Sequence, residues 1–191
     1  MAKLYFKYGV MGASKSAQAL ITKYNYEKNG KKVLLLKPAT DNRDGADIIR
    51  SRIGLSSEAT IVKDDTNLFA LYALKRPDVI IADESQFFSE ITVDALHEIA
   101  SVYDVPVICY GLLTDFQTNL FPGSKRLIET AESIKEIQMT CKCGRKATIN
   151  ARINSEGDVI TDGEQVVLGG DETYEAMCYL CYRMKTLTMP F

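Results

Sequence analysis

Lys3-Leu4-Tyr5-Phe6-Lys7-Tyr8-Gly9-Val10-Met11-Gly12-Ala13-Ser14-Lys15-Ser16 is the stretch that decides the fold. Lys3 to Tyr8 reads as a strand, Gly9 to Ser16 as a small-residue loop, and Ser16 to Tyr26 as a helix with Ala17, Leu20, Ile21 and Tyr24 on one face. The loop fits G-x-x-x-x-G-K-[ST], except that Ser14 replaces the second glycine. Small residues let backbone N–H groups curl around phosphate oxygens at the positive end of a helix. Gly9, Val10, Met11, Gly12, Ala13 and Ser14 would form that cradle, Lys15 would reach the β- and γ-phosphates, and the Ser16 hydroxyl would hold Mg²⁺. Taken alone, the same stretch is also a Gly/Ser turn entering a helix.

Working outward, Val33–Leu36, Asp78–Asp83 and Val105–Tyr110 are short continuous apolar runs, as strands buried on both faces require. Helical segments near Asn67–Lys75, Thr92–Ser101 and Ser124–Glu132 separate or follow them. Buried strands alternating with helices predict an α/β domain with a mostly parallel sheet. Near Thr140 the character changes to cysteines, glycines and short alternating strands, so a domain boundary is placed between residues 1–139 and 140–191.

The chain of 191 residues is 46% hydrophobic and 25% charged with a net charge of −2, ordinary for a globular protein and unlike a surface that coats nucleic acid. The N-terminus lacks the shape of a signal peptide and no apolar run is long enough to span a bilayer, which reads as cytoplasmic with no membrane partner.

Val79-Ile80-Ile81-Ala82 ends in Asp83-Glu84. In a phosphate-loop protein the first acid at such a strand end orders the Mg²⁺ shell, which gives Asp83 its role. Strand alternation would turn Glu84 the other way, where a carboxylate near a substrate hydroxyl acts as general base. Two acids solvated at a loop are the plainer alternative. Cys141-x-Cys143 and Cys178-x-x-Cys181 supply four thiolates in two pairs, a set suited to tetrahedral zinc with no open position and hence a structural role. Cys109, in mid-strand, reads as core packing.

Asp83-Glu84-Ser85-Gln86-Phe87-Phe88, Tyr110-Gly111-Leu112-Leu113-Thr114-Asp115-Phe116-Gln117 with Phe121, and Gly169-Gly170-x-x-x-Tyr174-x-x-x-Cys178 make the reading specific. With the phosphate loop and the cysteine pairs, from Tyr8 to Tyr182, the chain resembles the type II, zinc-containing thymidine kinases. The resemblance implies a RecA-like P-loop domain followed by a small zinc-binding lasso, and transfer of the γ-phosphate of ATP to the 5′-hydroxyl of thymidine, with deoxyuridine as a second substrate. It implies Glu84 as general base, Asp83 acting through Mg²⁺, and Arg43 near the phosphates. Ser85 and Gln86 fall with Asp83 and Glu84 in the nucleotide-binding motif. Met11, Leu112, Phe116 and Phe121 would line the thymine pocket, closed by Val167, Gly169 and Tyr174. A homotetramer and feedback inhibition by dTTP are further expectations of the resemblance.

Three positions depart from the family pattern. Ser14 stands where glycine is usual, Gln117 where many members have Arg, and Tyr179-Leu180 fills the last Cys-x-x-Cys spacer where Arg often begins it. Ser14 keeps two alternatives in view: a sensor that binds dTTP or ATP without turnover, and a P-loop ATPase indifferent to nucleosides.

Overall fold

The computed structural model describes residues 1–41, 45, 47–165 and 174–187. Six strands form one wholly parallel sheet: β1 (Leu4–Tyr8), β2 (Val33–Pro38), β5 (Thr60–Val62), β6 (Val79–Ala82), β7 (Val107–Gly111) and β8 (Ser133–Glu136), in the order β5-β2-β6-β7-β1-β8. β3 (Ile48–Arg50) and β4 (Ser56–Glu58) make a separate antiparallel ribbon. β9 (Ile149–Ile153), β10 (Val159–Ile160) and β11 (Tyr174–Met177) make a second antiparallel sheet, with β9 central.

The side-chain period of two sorts the apolar strands into two layers. Leu4, Phe6, Leu34, Leu36, Ile80, Ala82, Val107 and Cys109 point to one face, where α2 (Leu68–Lys75), α3 (Glu90–Val102) and α4 (Pro122–Thr130) add Leu68, Val93, Leu96, Ile99 and Leu127. Leu35, Val79, Ile81, Ile108 and Tyr110 point to the other, against Ala19 and Leu20 of α1 (Lys15–Lys28). With helices on both faces, no sheet face is left for polar residues, which is why the strands read as continuous apolar runs. Cys109 belongs to this core, and burial pushes its thiol up to about 12.

Helix starts follow capping chemistry. Asn67 accepts from the Ala70 amide at α2, Ser89 from the Thr92 amide at α3, and Pro122 opens α4 where an N–H would be an orphan anyway. Two sequence expectations change. Of the expected face of α1, Ala17 and Leu20 are buried, while Ile21 and Tyr24 are 45% and 60% exposed and Ala19 points inward instead. The C-terminal part is not only short strands: α5 (Tyr179–Thr186) follows, opened by Cys178, whose sulfur accepts the Cys181 amide. Among the described residues no helix is long and apolar enough to cross a membrane.

Candidate active site

Because all six strands run the same way, β1 and β7 end opposite each other at Tyr8 and Gly111, and β6 ends two residues earlier at Ala82, opposite Cys109. The segments after them therefore emerge on one edge, the carboxyl edge where parallel sheets bind ligands.

After β1 comes the phosphate loop. Gly9 sits where a Cβ would lie 2.6 Å from the Ile137 carbonyl, so no larger residue fits without movement. Gly12 (φ 82°) and Ser14 (φ 60°, ψ 28°) both hold left-handed backbone, which curls the loop. That conformation is why glycine is usual at position 14: a Cβ is strained there. Ser14 itself is exposed, and no side chain caps the start of α1, so the leading N–H groups of that helix carry no side-chain cap. Lys15 is buried and its Nζ donates to the Val10 carbonyl at 2.9 Å, folding the ammonium across the loop.

After β6 come Asp83 and Glu84. Asp83 is 2% exposed; Ser16 hydrogen-bonds its carboxylate and Lys15 lies close enough to lower its pKa. Burial, with the charge of Glu84 second, outweighs both and raises Asp83 to about 7. Its Oδ1 is buried with no hydrogen-bond partner. An orphaned carboxylate oxygen beside a hydroxyl is a pair of hard oxygen donors, and it fits Mg²⁺. Glu84 is separated from Asp83 by backbone rather than by strand alternation: β6 has already ended, and Glu84 adopts φ 50°, ψ 35°.

Ser85 and Gln86, predicted beside the nucleotide, are buried in a single 3₁₀ turn, Ser85–Phe87. The Ser85 hydroxyl donates to the Tyr110 carbonyl at 2.8 Å. The Gln86 amide joins the Glu84 carboxylate to the Leu112 backbone.

After β7 comes the loop with the predicted pocket residues. Leu112 is half-buried, and its carbonyl accepts from Ser124 Oγ at 2.5 Å. Phe121 is buried edge-on to Phe87, with ring centroids 5.6 Å apart. Phe116 is 1% exposed beneath the Arg152 guanidinium. Tyr174, at the start of β11, directs its hydroxyl to the same Arg152. Met11 is half-buried, its amide donating to Asn150 Oδ1 at 2.7 Å. Arg43, Val167 and Gly169 lie outside the described residues.

Two residues that the sequence reading missed tie these segments together. Asn150 also donates through Nδ2 to the Thr114 carbonyl at 2.9 Å, and Arg152 holds Phe116 and Tyr174. Both are buried polar residues two apart on β9, so they share a face. Alternation of apolar and polar residues within Ile149–Ile153 is the one signal that marks them.

The four cysteines converge. Their sulfurs all lie within 4.8 Å of one another, with Cys143 and Cys178 3.5 Å apart. Four thiolates around zinc, at about 2.3 Å each, sit roughly 3.8 Å apart, so the donor set and spacing fit that ion. Gly144 (φ 86°) turns the first pair back, its amide donating to the Cys141 carbonyl. The backbone amide of Arg145, then the neighbouring thiols, pull Cys143 down to about 6. The same cluster packs against Val10 and Ala13 of the phosphate loop.

A family model described as thymidine kinase matches residues 2–182. The chain is 46% identical over 182 residues to a thymidine kinase of Agrobacterium fabrum, covering 93% of this chain and 94% of that one. It is 40% identical over 190 residues to a thymidine kinase of Mannheimia succiniciproducens, covering 97% of each. A thymidine kinase of Yersinia pestis is 41% identical over 187 residues, covering 96% of this chain and 95% of the relative. Among solved structures, a DNA replication initiation factor matches with a TM-score of 0.41 at 13% identity, over 71% of this chain and 40% of that one.

Proposed function

The chain belongs to the thymidine kinase family, and on that footing we propose how its residues divide the transfer of the ATP γ-phosphate to the 5′-hydroxyl of thymidine. The reaction is an ATP-dependent phosphorylation of thymidine. The assignment of roles rests on one observation: Lys15, Ser16, Asp83 and Glu84 come from two strand ends that share one edge of the sheet.

Phosphoryl transfer asks for positioning and charge neutralisation more than for covalent chemistry. The curled loop of residues 9–14 and the uncapped start of α1 present N–H groups to phosphate oxygens. Lys15 leaves the Val10 carbonyl for the β- and γ-phosphates. Ser16 and Asp83 hold Mg²⁺, which when bound neutralises charge on the phosphate oxygens. Glu84 accepts the 5′-hydroxyl proton as the oxygen attacks phosphorus. Arg43, carried over from the family pattern, steadies the transferring group. Met11, Leu112, Phe116, Phe121 and Tyr174 line the base site, with Val167 and Gly169 completing it, and deoxyuridine, which lacks only a methyl group, fits the same site.

The finer parts of the reading are these. The four-cysteine cluster takes zinc in a structural role. dTTP, which joins the substrate's base to the nucleotide's triphosphate, spans both halves of the site and acts as feedback inhibitor. The enzyme works in the cytoplasm as a homotetramer. A single-turnover assay with γ-labelled ATP tests the core of the reading. Labelled thymidine monophosphate formed only when thymidine is present is the expected result. Nucleotide binding without transfer, or hydrolysis indifferent to thymidine, would establish a sensor or an ATPase instead.

A further inference from the structure

Arg152 is a buried charge that stands outside the chemistry above. It lies in β9 and is 4% exposed. Its Cζ lies 3.7 Å from the centroid of the Phe116 ring. Nε and Nη2 donate to the Tyr174 hydroxyl at 3.1 and 2.8 Å, and Nη2 also donates to the Glu164 carbonyl at 2.9 Å. Among the described residues no carboxylate lies within ion-pair distance of it. Arg152 and Tyr174 are direct cross-strand partners in the β9–β11 pairing.

Burying a guanidinium is unfavourable even when it is hydrogen-bonded, and an apolar side chain would fill the space without that penalty. What arginine adds is a rigid plane with donors in fixed directions. Here the plane stacks on one aromatic ring, and the donors fix the hydroxyl of another. The two rings come from different parts of the chain, Phe116 from the turn after β7 and Tyr174 from β11. We propose that Arg152 is a positioning residue for the nucleoside site: it sets the Phe116 ring from behind and anchors Tyr174, so that both rings are in place before the nucleoside arrives. This rests on the reading of Phe116 and Tyr174 as pocket residues. It also limits the geometry, because the Phe116 face under Arg152 is taken, and a base meets only the rest of that ring.

Holding a site in its bound shape reduces the ordering that binding must otherwise supply. The effect falls on the nucleoside and not on ATP, because the hydrogen bonds and ring contacts of Arg152 run to residues 116, 164 and 174 and none runs to residues 9–16.

The test is calorimetric binding of thymidine and of ATP to wild type, Arg152→Met, Arg152→Lys, Tyr174→Phe and the Arg152→Met/Tyr174→Phe double variant. Arg152→Met and Tyr174→Phe are each expected to weaken thymidine roughly tenfold, as loss of a charge-assisted hydrogen bond would. The double variant is expected to be no weaker than Arg152→Met alone, ATP affinity to stay at the wild-type value, and Arg152→Lys to recover part of the loss. Should Arg152→Met fail to fold, Arg152→Lys and Tyr174→Phe carry the same comparison. Unchanged thymidine affinity in the folded variants, equal weakening of thymidine and ATP, or losses that simply add would overturn the proposal. A wild-type protein that binds no thymidine would instead overturn the reading of the pocket itself, and the proposal with it.

Discussion

Gln86 donates through Nε2 to Oε2 of Glu84 at 2.5 Å while its Oε1 accepts the Leu112 amide at 3.0 Å. One side-chain amide thus joins the proposed general base to the backbone of the proposed nucleoside pocket. The pairing also settles which way the amide faces, since only its nitrogen donates to a carboxylate. Glu84 sits in left-handed backbone, a strained state for a residue with a Cβ, and the hydrogen bonds of Ser85 and Gln86 hold the turn that follows it. The Gln86 amide thus orients the carboxylate of the proposed base.

Glu84→Gln is expected to slow the chemical step by about 10²- to 10⁴-fold, the usual range for a general base, with ATP affinity nearly intact. Gln86→Met, similar in length but without the donor, is expected to lower the rate of transfer by roughly tenfold, the size of one lost charge-assisted hydrogen bond. Single-turnover kinetics beside ATP titrations separate the two. A Glu84→Gln loss smaller than about tenfold would remove Glu84 from the role of base.

Gly123→Ala probes the same turn from behind. A Cβ at Gly123 would lie 2.6 Å from the carbonyl oxygens of both Phe88 and Ser85 and 2.9 Å from that of Gln86. All three are backbone atoms, so α4 and the turn must part. The variant is expected to lose about 1–3 kcal/mol of stability, as overpacked sites do. Transfer should slow as well, because Glu84 is the residue just before the displaced turn. Denaturant melts and turnover are the measurements, and a variant as stable and as fast as wild type would mean that the turn does not hold Glu84.

Much of this site was legible and some was not, for physical reasons. The phosphate loop, the acidic strand end and the cysteine pairs are local patterns, and each appears where its spacing predicts. β3 and β4 are only three residues each, too short for a periodicity to show, and β4 is Ser56, Ser57 and Glu58, with no apolar residue to read. α1 misled because Ile21 and Tyr24 are apolar by type yet face out, while small Ala19 faces in. Asn150 and Arg152 act on partners as far away as Met11, 139 residues along the chain, and no local pattern records such a contact.

Ser14 is the departure that the backbone explains. Left-handed backbone costs a residue with a Cβ roughly 1–2 kcal/mol, and glycine gives back about 0.5–1 kcal/mol of that through its larger unfolded-state entropy. Ser14→Gly is therefore expected to stabilise the protein by up to about 1 kcal/mol, and Ser14→Ile to destabilise it, because a β-branched residue is a true outlier there. Since the Ser14 side chain is exposed, activity of Ser14→Gly is expected to match wild type. A rise of tenfold or more would mean that the serine crowds the phosphates.

The raised pKa of Asp83 has a definite sign. Burial, then the charge of Glu84, lifts it from an ordinary 3.8 to about 7 in the folded protein. A folded pKa above the unfolded one stabilises the fold fully below about 4, and that contribution is lost as pH rises through about 7. Magnesium needs the ionised carboxylate, so its binding relieves the cost of ionising Asp83. The increase in melting temperature on adding MgCl₂ with ATP is thus expected to be larger at pH 8 than at pH 6, and Asp83→Asn to abolish the difference. Equal shifts at both pH values in wild type would place Mg²⁺ away from Asp83.

The cysteine cluster should be felt at the phosphate loop. Val10 and Ala13 of that loop share one buried cluster with Cys141, Ala147 and Cys178, and Met139 packs beside Gly12, where a Cβ would meet its sulfur at 3.1 Å. If a metal holds the four sulfurs together, removing it loosens the surface on which the loop rests. Stripping with a strong chelator is expected to lower the melting temperature and to weaken ATP binding together, and adding zinc back to restore both. Metal content, melting and ATP titration on one preparation make the comparison. Weakened thymidine binding with ATP affinity untouched would mean that the cluster supports only the second sheet. A metal-free protein that melts and binds as before would mean that the four thiols are free.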